Sequence, residues 1–98
     1  MKKEIKIGFV GDFCLAKTHL KPRSYIENIF EICSKLNDQV DLALANHEFC
    51  IVPPGSGKVG GMGLPAENAG EIKKAGFDIY CLANNHIGDF GDQAIIHT

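Results

Sequence analysis

A chain of 98 residues with 45% hydrophobic and 22% charged side chains has the make-up of one small globular domain or part of a larger one. Its net charge of −2 and pI of about 6.0 offer no basic face to nucleic acid or an anionic membrane, and without Trp it has no stacking platform for bases. Cys14, Cys33, Cys50 and Cys81 form no C-x-x-C pair, which argues against a zinc knuckle and leaves them as small buried hydrophobes in a reducing compartment.

Met1-Lys2-Lys3 carries the charge of a signal-peptide start, but Lys6 and Asp12 cut short the apolar stretch behind it. No run approaches membrane-spanning length, so the chain reads as cytoplasmic with no membrane segment. Residues 5–10 form a β-rich run ending in Gly11-Asp12, a strand that delivers a carboxylate to a sheet edge. Residues 13–22 read as a loop closed by Pro22. A helix follows, with Ser24 and Glu27 as a capping box and Ile26, Ile29, Phe30, Cys33 and Leu36 at helical spacing. Asn37-Asp38 breaks it. Residues 40–45 read as a second strand ending in Asn46-His47-Glu48.

Residues 53–63 are too rich in Pro and Gly for regular structure. Gly55-Ser56-Gly57-Lys58 is no phosphate loop, because Val52 and Val59 stand where that pattern needs Gly and Ser or Thr. A second helix begins near Pro65, turns Ala69 and Ile72 inward and ends at Gly76. Residues 77–82 read as a third strand, and a third helix starts at Asp92.

The order β-α-β-α-β-α, with strands of this apolarity, predicts a mostly parallel sheet covered on both faces. Its polar strand ends converge on one edge: Asp12, then Asn46 to Glu48, then Asn84 to Asp89. Carboxylate, amide oxygen and imidazole together suit a divalent ion such as Mn, Fe, Zn or Mg, which polarises phosphoryl oxygens and generates hydroxide from water. Asp12 and Glu48 supply charge, Asn85 a neutral oxygen, and His86 a proton for a leaving group. Asp89 either orients His86 or ligates directly. His47 is open between a ligand, a group behind a ligand and a solvent-facing loop residue. His19 and His97 read as bland surface residues, and Asp41 and Asp78 as turn markers.

Three strings carry a resemblance: Gly8-Phe9-Val10-Gly11-Asp12, then Asp41-Leu42-Ala43-Leu44-Ala45-Asn46-His47-Glu48, then Ala75-Gly76-Phe77-Asp78 running on through Leu82-Ala83-Asn84-Asn85-His86 to Asp89-Phe90-Gly91 and Thr98. In order and spacing the chain resembles the amino-terminal half of the CapA family of bacterial capsule and poly-γ-glutamate synthesis proteins, themselves similar to calcineurin-like metallophosphoesterases. The resemblance implies that residues 1–98 are the amino-terminal part of a single domain, half of a four-layer α/β/β/α sandwich with a metal site at the strand ends. It implies metal binding by Asp12, by Asn46 and Glu48 as an Asn-x-Glu pair, and by Asn85, which with His86 matches an Asn-His pair. His86 and Asp89 remain the catalytic candidates.

Two residues depart from the pattern: Cys14 stands where Asp-x-His has its His, and His47 stands where the family has an apolar residue. The family's later His motifs would follow Thr98, so the chain is expected to need a carboxy-terminal half or a partner subunit to cover its sheet. The function implied is a metal-dependent, phosphoesterase-type hydrolase acting on a phosphoester or anionic polymer in capsule or polyglutamate synthesis, with the cell envelope as the family's usual setting. The alternative is a non-catalytic module that binds polymer or assembly partners. A nucleotide-binding doubly wound fold is disfavoured, since no G-x-G-x-x-G follows the first strand.

Overall fold

The computed structural model describes residues 3–16, 21–56 and 60–98; His19, part of the loop at 13–22 and the Gly57-Lys58 step lie outside them. In chain order the elements are β1 (Ile7–Phe13), α1 (Arg23–Asn37), β2 (Leu42–His47), β3 (Cys50–Val52), β4 (Gly63–Pro65), a 3-10 helix (Ala66–Ala75), β5 (Ile79–Cys81) and α2 (Asp92–His97). The expected α/β class with a parallel sheet is what forms: β1, β2 and β5 lie parallel, with β2 in the centre. The two aspartates expected to mark turns cap strand starts, Asp41 Oδ2 accepting from the Lys6 N–H at 2.9 Å and Asp78 Oδ2 from the Ala43 N–H at 2.8 Å.

Register assigns the faces, because paired residues of parallel strands project to the same side. Leu42 and Leu44 pair with Ile7 and Phe9, and Leu44 also with Ile79, on an outer face. Ala43, Ala45 and His47 alternate onto the inner face and are buried. There Phe13, Ala45 and Phe49 pack with Ile26 and Phe30 of α1 and with Ala75 of the 3-10 helix. A register shift between Phe9 and Asp12 bends the end of β1, so that Asp12 pairs with Asn46 and Phe13 with His47.

Coverage of both faces is the first expectation to be corrected. Both α1 and the 3-10 helix join the same inner core, and on the outer side Ile7, Phe9 and Ile79 remain 50%, 74% and 43% exposed. Cys81 and Leu36, expected inside, are exposed as well. The Ser24–Glu27 capping box does not form either. Pro22 occupies the N-cap of α1 without a side-chain cap, and Arg23 draws Glu27 to 3.1 Å while reaching Glu71 at 3.0 Å. Arg23 therefore links α1 to the 3-10 helix in place of a local cap.

The second helix winds more tightly than expected, as a 3-10 helix, yet it ends as expected at Gly76, whose φ of 75° is left-handed. Asn37 Nδ2 donates to the Ala75 carbonyl at 2.8 Å and the Tyr80 hydroxyl to the Ile72 carbonyl at 3.1 Å, which ties this segment to α1 and β5.

The small parallel sheet of β3 and β4 was not anticipated. Cys50 pairs with Gly63 and Val52 with Pro65. A Cβ at Gly63 would stand 2.6 Å from Cζ of Phe90 and 2.8 Å from a Val52 methyl, so glycine there makes room for the tip of the ring. We expect Gly63→Ala to lower stability by about 1–3 kcal/mol in urea unfolding, the usual cost of overpacking. An unchanged midpoint would mean that the ring moves aside freely.

Candidate functional site

Three strand ends meet beyond the carboxyl edge of the main sheet. The side chain of Asn46, the penultimate residue of β2, lies between two acids. Its Nδ2 donates to Asp12 Oδ1 at 2.8 Å and also to Glu48 Oε2. The Glu48 backbone N–H donates to the Phe13 carbonyl at 3.1 Å, holding the exit of β2 against the end of β1. One amide thus bridges two carboxylates from two chain segments.

The turn after β5 is attached to this bridge through Asn84. Its Nδ2 donates to Asn46 Oδ1 at 3.1 Å and to the His47 carbonyl at 2.8 Å. Its Oδ1 accepts the backbone N–H groups of His86 at 3.0 Å and Ile87 at 3.1 Å. Such Asx bonding fixes a turn from its first residue. It sets His86 so that Nδ1 lies 2.7 Å from Asp89 Oδ2 and Nε2 faces Glu48 Oε1 at 3.8 Å.

Of the residues singled out in the sequence, Asp12, Asn46, Glu48, His86 and Asp89 are brought together. Asn85 is exposed and makes no hydrogen bond to the cluster. Asn84, which does, had been passed over as the ligand candidate in favour of its neighbour. The two adjacent Asn residues differ only in which one closes the turn, and that is set by the fold.

Of the three readings left open for His47, burial rules out the solvent-facing one. The two-residue period of β2 puts it with Ala43 and Ala45, opposite Asn46, and that alternation was a usable signal. Its ring is 3% exposed and stacks on Phe49 at 3.8 Å, with Nε2 lacking a hydrogen-bond partner. Cys14, at the place of the expected His, is half-buried beside Met62 at 3.9 Å, and burial pushes its thiol pKa up, away from the thiolate a metal needs.

Electrostatics divides the two histidines. Burial alone lowers the His47 pKa from 6.5 to about 4, so the ring is neutral. The hydrogen bond that His86 donates to Asp89 raises the His86 pKa, helped by the charges of Asp89, Glu48 and Asp12. Of the two, His86 is therefore the imidazole whose protonated form its surroundings favour.

The donor types suit a hard or borderline cation, and a ligating His typically carries a carboxylate on its other nitrogen. The arrangement does not fit one as it stands. The Asn46 N–H₂ occupies the position between Asp12 and Glu48, and among the described residues no three His, Cys, Asp or Glu side chains are placed to hold a metal.

A parallel α/β sheet with acids, amides and an imidazole gathered past its carboxyl ends is the usual form of a strand-end binding site. Residues 6–98 match the family described as Bacterial capsule synthesis protein PGA_cap, and the chain belongs to that family. The CapA-type resemblance of the residue strings is thereby shown. No curated protein and no solved structure matches the sequence. Among the described residues no helix is long and apolar enough to cross a membrane.

Two outcomes follow from this geometry. Asn84→Ala, which strands the His86 and Ile87 N–H groups, should cost about 2 kcal/mol in chemical denaturation, while Asn85→Ala should stay within about 0.5 kcal/mol of the parent. The reverse ranking would show that the turn is held otherwise. His47, with a folded pKa below its unfolded value, costs nothing above pH 6.5 and destabilises progressively as pH falls from 6.5 to about 4. That loss should total roughly 3 kcal/mol and be absent in His47→Leu, measured as the difference between the two unfolding curves against pH.

Proposed function

We propose that the strand-end cluster carries out metal-dependent, phosphoesterase-type hydrolysis in the synthesis of a capsule polymer, polysaccharide or poly-γ-glutamate. The observation that supports this most is the coupling of His86 to Asp89 on one side and Glu48 on the other. A proton held at Nε2 lies next to the acid pair, where it can pass to a leaving-group oxygen while Asp89 fixes the ring. Asp12, Asn46, Glu48 and Asn85 are the proposed ligands of a divalent ion, Mn, Fe, Zn or Mg. The contribution of such an ion is charge neutralisation of a phosphoryl group.

For an ion to enter between the acids, Asn46 must present its oxygen instead of its N–H₂. That gives up the hydrogen bond from Asn84 to Asn46 Oδ1. Ion binding and the present form of the cluster are thus exclusive, and the balance between them is measurable.

A second reading is favoured by the closed state of the cluster. With both acids already hydrogen-bonded to Asn46, the site would serve as a non-catalytic surface that binds polymer or an assembly partner. A thermal-melt titration separates the two. On the first reading Mn²⁺ at a hundred times its Kd adds about 2.7 kcal/mol of stability, and Asp12→Ala abolishes the gain. No shift with any of the four ions would refute metal dependence, and a rise with poly-γ-glutamate alone would support the second reading.

A further inference from the structure

Cys50 opens β3 and is fully buried, yet its sulfur touches the backbone of the turn that carries His86. Sγ lies 2.8 Å from the His86 carbonyl oxygen and 3.1 Å from that of Ile87. The turn that carries His86 thus meets that one atom with two successive carbonyls. Cys50 is itself held firmly: its own N–H donates to the Met62 carbonyl at 2.9 Å, and Gly63 of β4 pairs with it beneath the Phe90 ring.

Hydrophobic burial alone does not account for this placement. An apolar side chain at position 50 would offer these carbonyls no donor, whereas the single S–H is shared between them, the His86 carbonyl also accepting from the Asp89 N–H at 3.2 Å. Asn84 fixes the turn from the Asn46 side, and Cys50 fixes it from the opposite side. Between them the backbone of His86 is held from both directions.

We propose that Cys50 is a positioning residue: its thiol templates the turn over residues 86–90 and thereby holds the His86–Asp89 pair against Glu48. The importance of that positioning rests on the function proposed above, but the positioning itself does not. It is a property of the protein without metal or substrate and is tested in that state.

The test compares Cys50→Ala and Cys50→Ser in the 98-residue chain by ¹⁵N NMR of the His86 ring, together with amide hydrogen exchange. Serine keeps the donor and alanine does not. In the parent, Nδ1 should show the shift of a nitrogen hydrogen-bonded to a carboxylate. Alanine should move that shift toward free imidazole and speed exchange at Asp89 by roughly five- to tenfold, with β2 protection unchanged, and serine should restore both. If alanine leaves the His86 signal in place, or serine loses it as fully as alanine, the proposal is overturned and Cys50 merely fills space. Should the alanine chain not fold, serine alone decides: a retained His86 signal supports the proposal and a lost one refutes it. A failed metal titration would sink the hydrolase reading without touching these signals.

Discussion

The carboxamide of Asn84 joins parts of the chain that are otherwise separate. Through Nδ2 it binds the end of β2 at Asn46 and His47, and through Oδ1 it binds the start of the turn at His86 and Ile87. A neutral group with two donors and two acceptor sites can do this at a strand end where a carboxylate cannot, since the Asn46 oxygen and the His47 carbonyl both require a donor. This link joins the acids gathered at Asn46 to the turn that carries His86. Without it the placement of His86 against Glu48 would rest on the Cys50 side of the turn alone.

The acids are handled by the same device one step further along. Asp12 and Glu48 come from different segments and carry like charge, yet they approach a common point because Asn46 N–H₂ lies between them. A single neutral donor thus compensates part of a repulsion that a cation would compensate more fully. The register shift in β1 makes the meeting geometrically available, by turning Asp12 toward Asn46 and leaving Phe13 to the core. Function and packing are separated here by the pleat: Asn46 outward, His47 inward, on consecutive residues.

Much of this was legible from the sequence, for identifiable reasons. The main strands announce themselves by apolar runs, and α1 by the four-residue spacing of Ile26 and Phe30. The meeting of polar strand ends follows from parallel topology alone. What was hidden had local causes. Strand β3 is three residues ahead of Pro53, and β4 contains both Gly63 and Pro65, so neither shows strand periodicity. The capping box was overruled by Pro22, which starts the helix earlier, and by Arg23, which recruits Glu27. Choosing Asn84 over Asn85 required knowing which side chain folds back into its own turn. The apolar runs of β1 and β2 do not themselves tell which face is covered, and Phe9 and Ile7 lie exposed on the outer one.

The most direct test of the link between strand and turn is a double-mutant cycle on Asn46 and Asn84, each replaced by Ala, read by urea unfolding. A shared hydrogen-bonded network requires that the double variant lose less stability than the sum of the singles, by about 1 kcal/mol. Additive losses would contradict it, and would mean that the turn carrying His86 is placed independently of the strand that carries the acids.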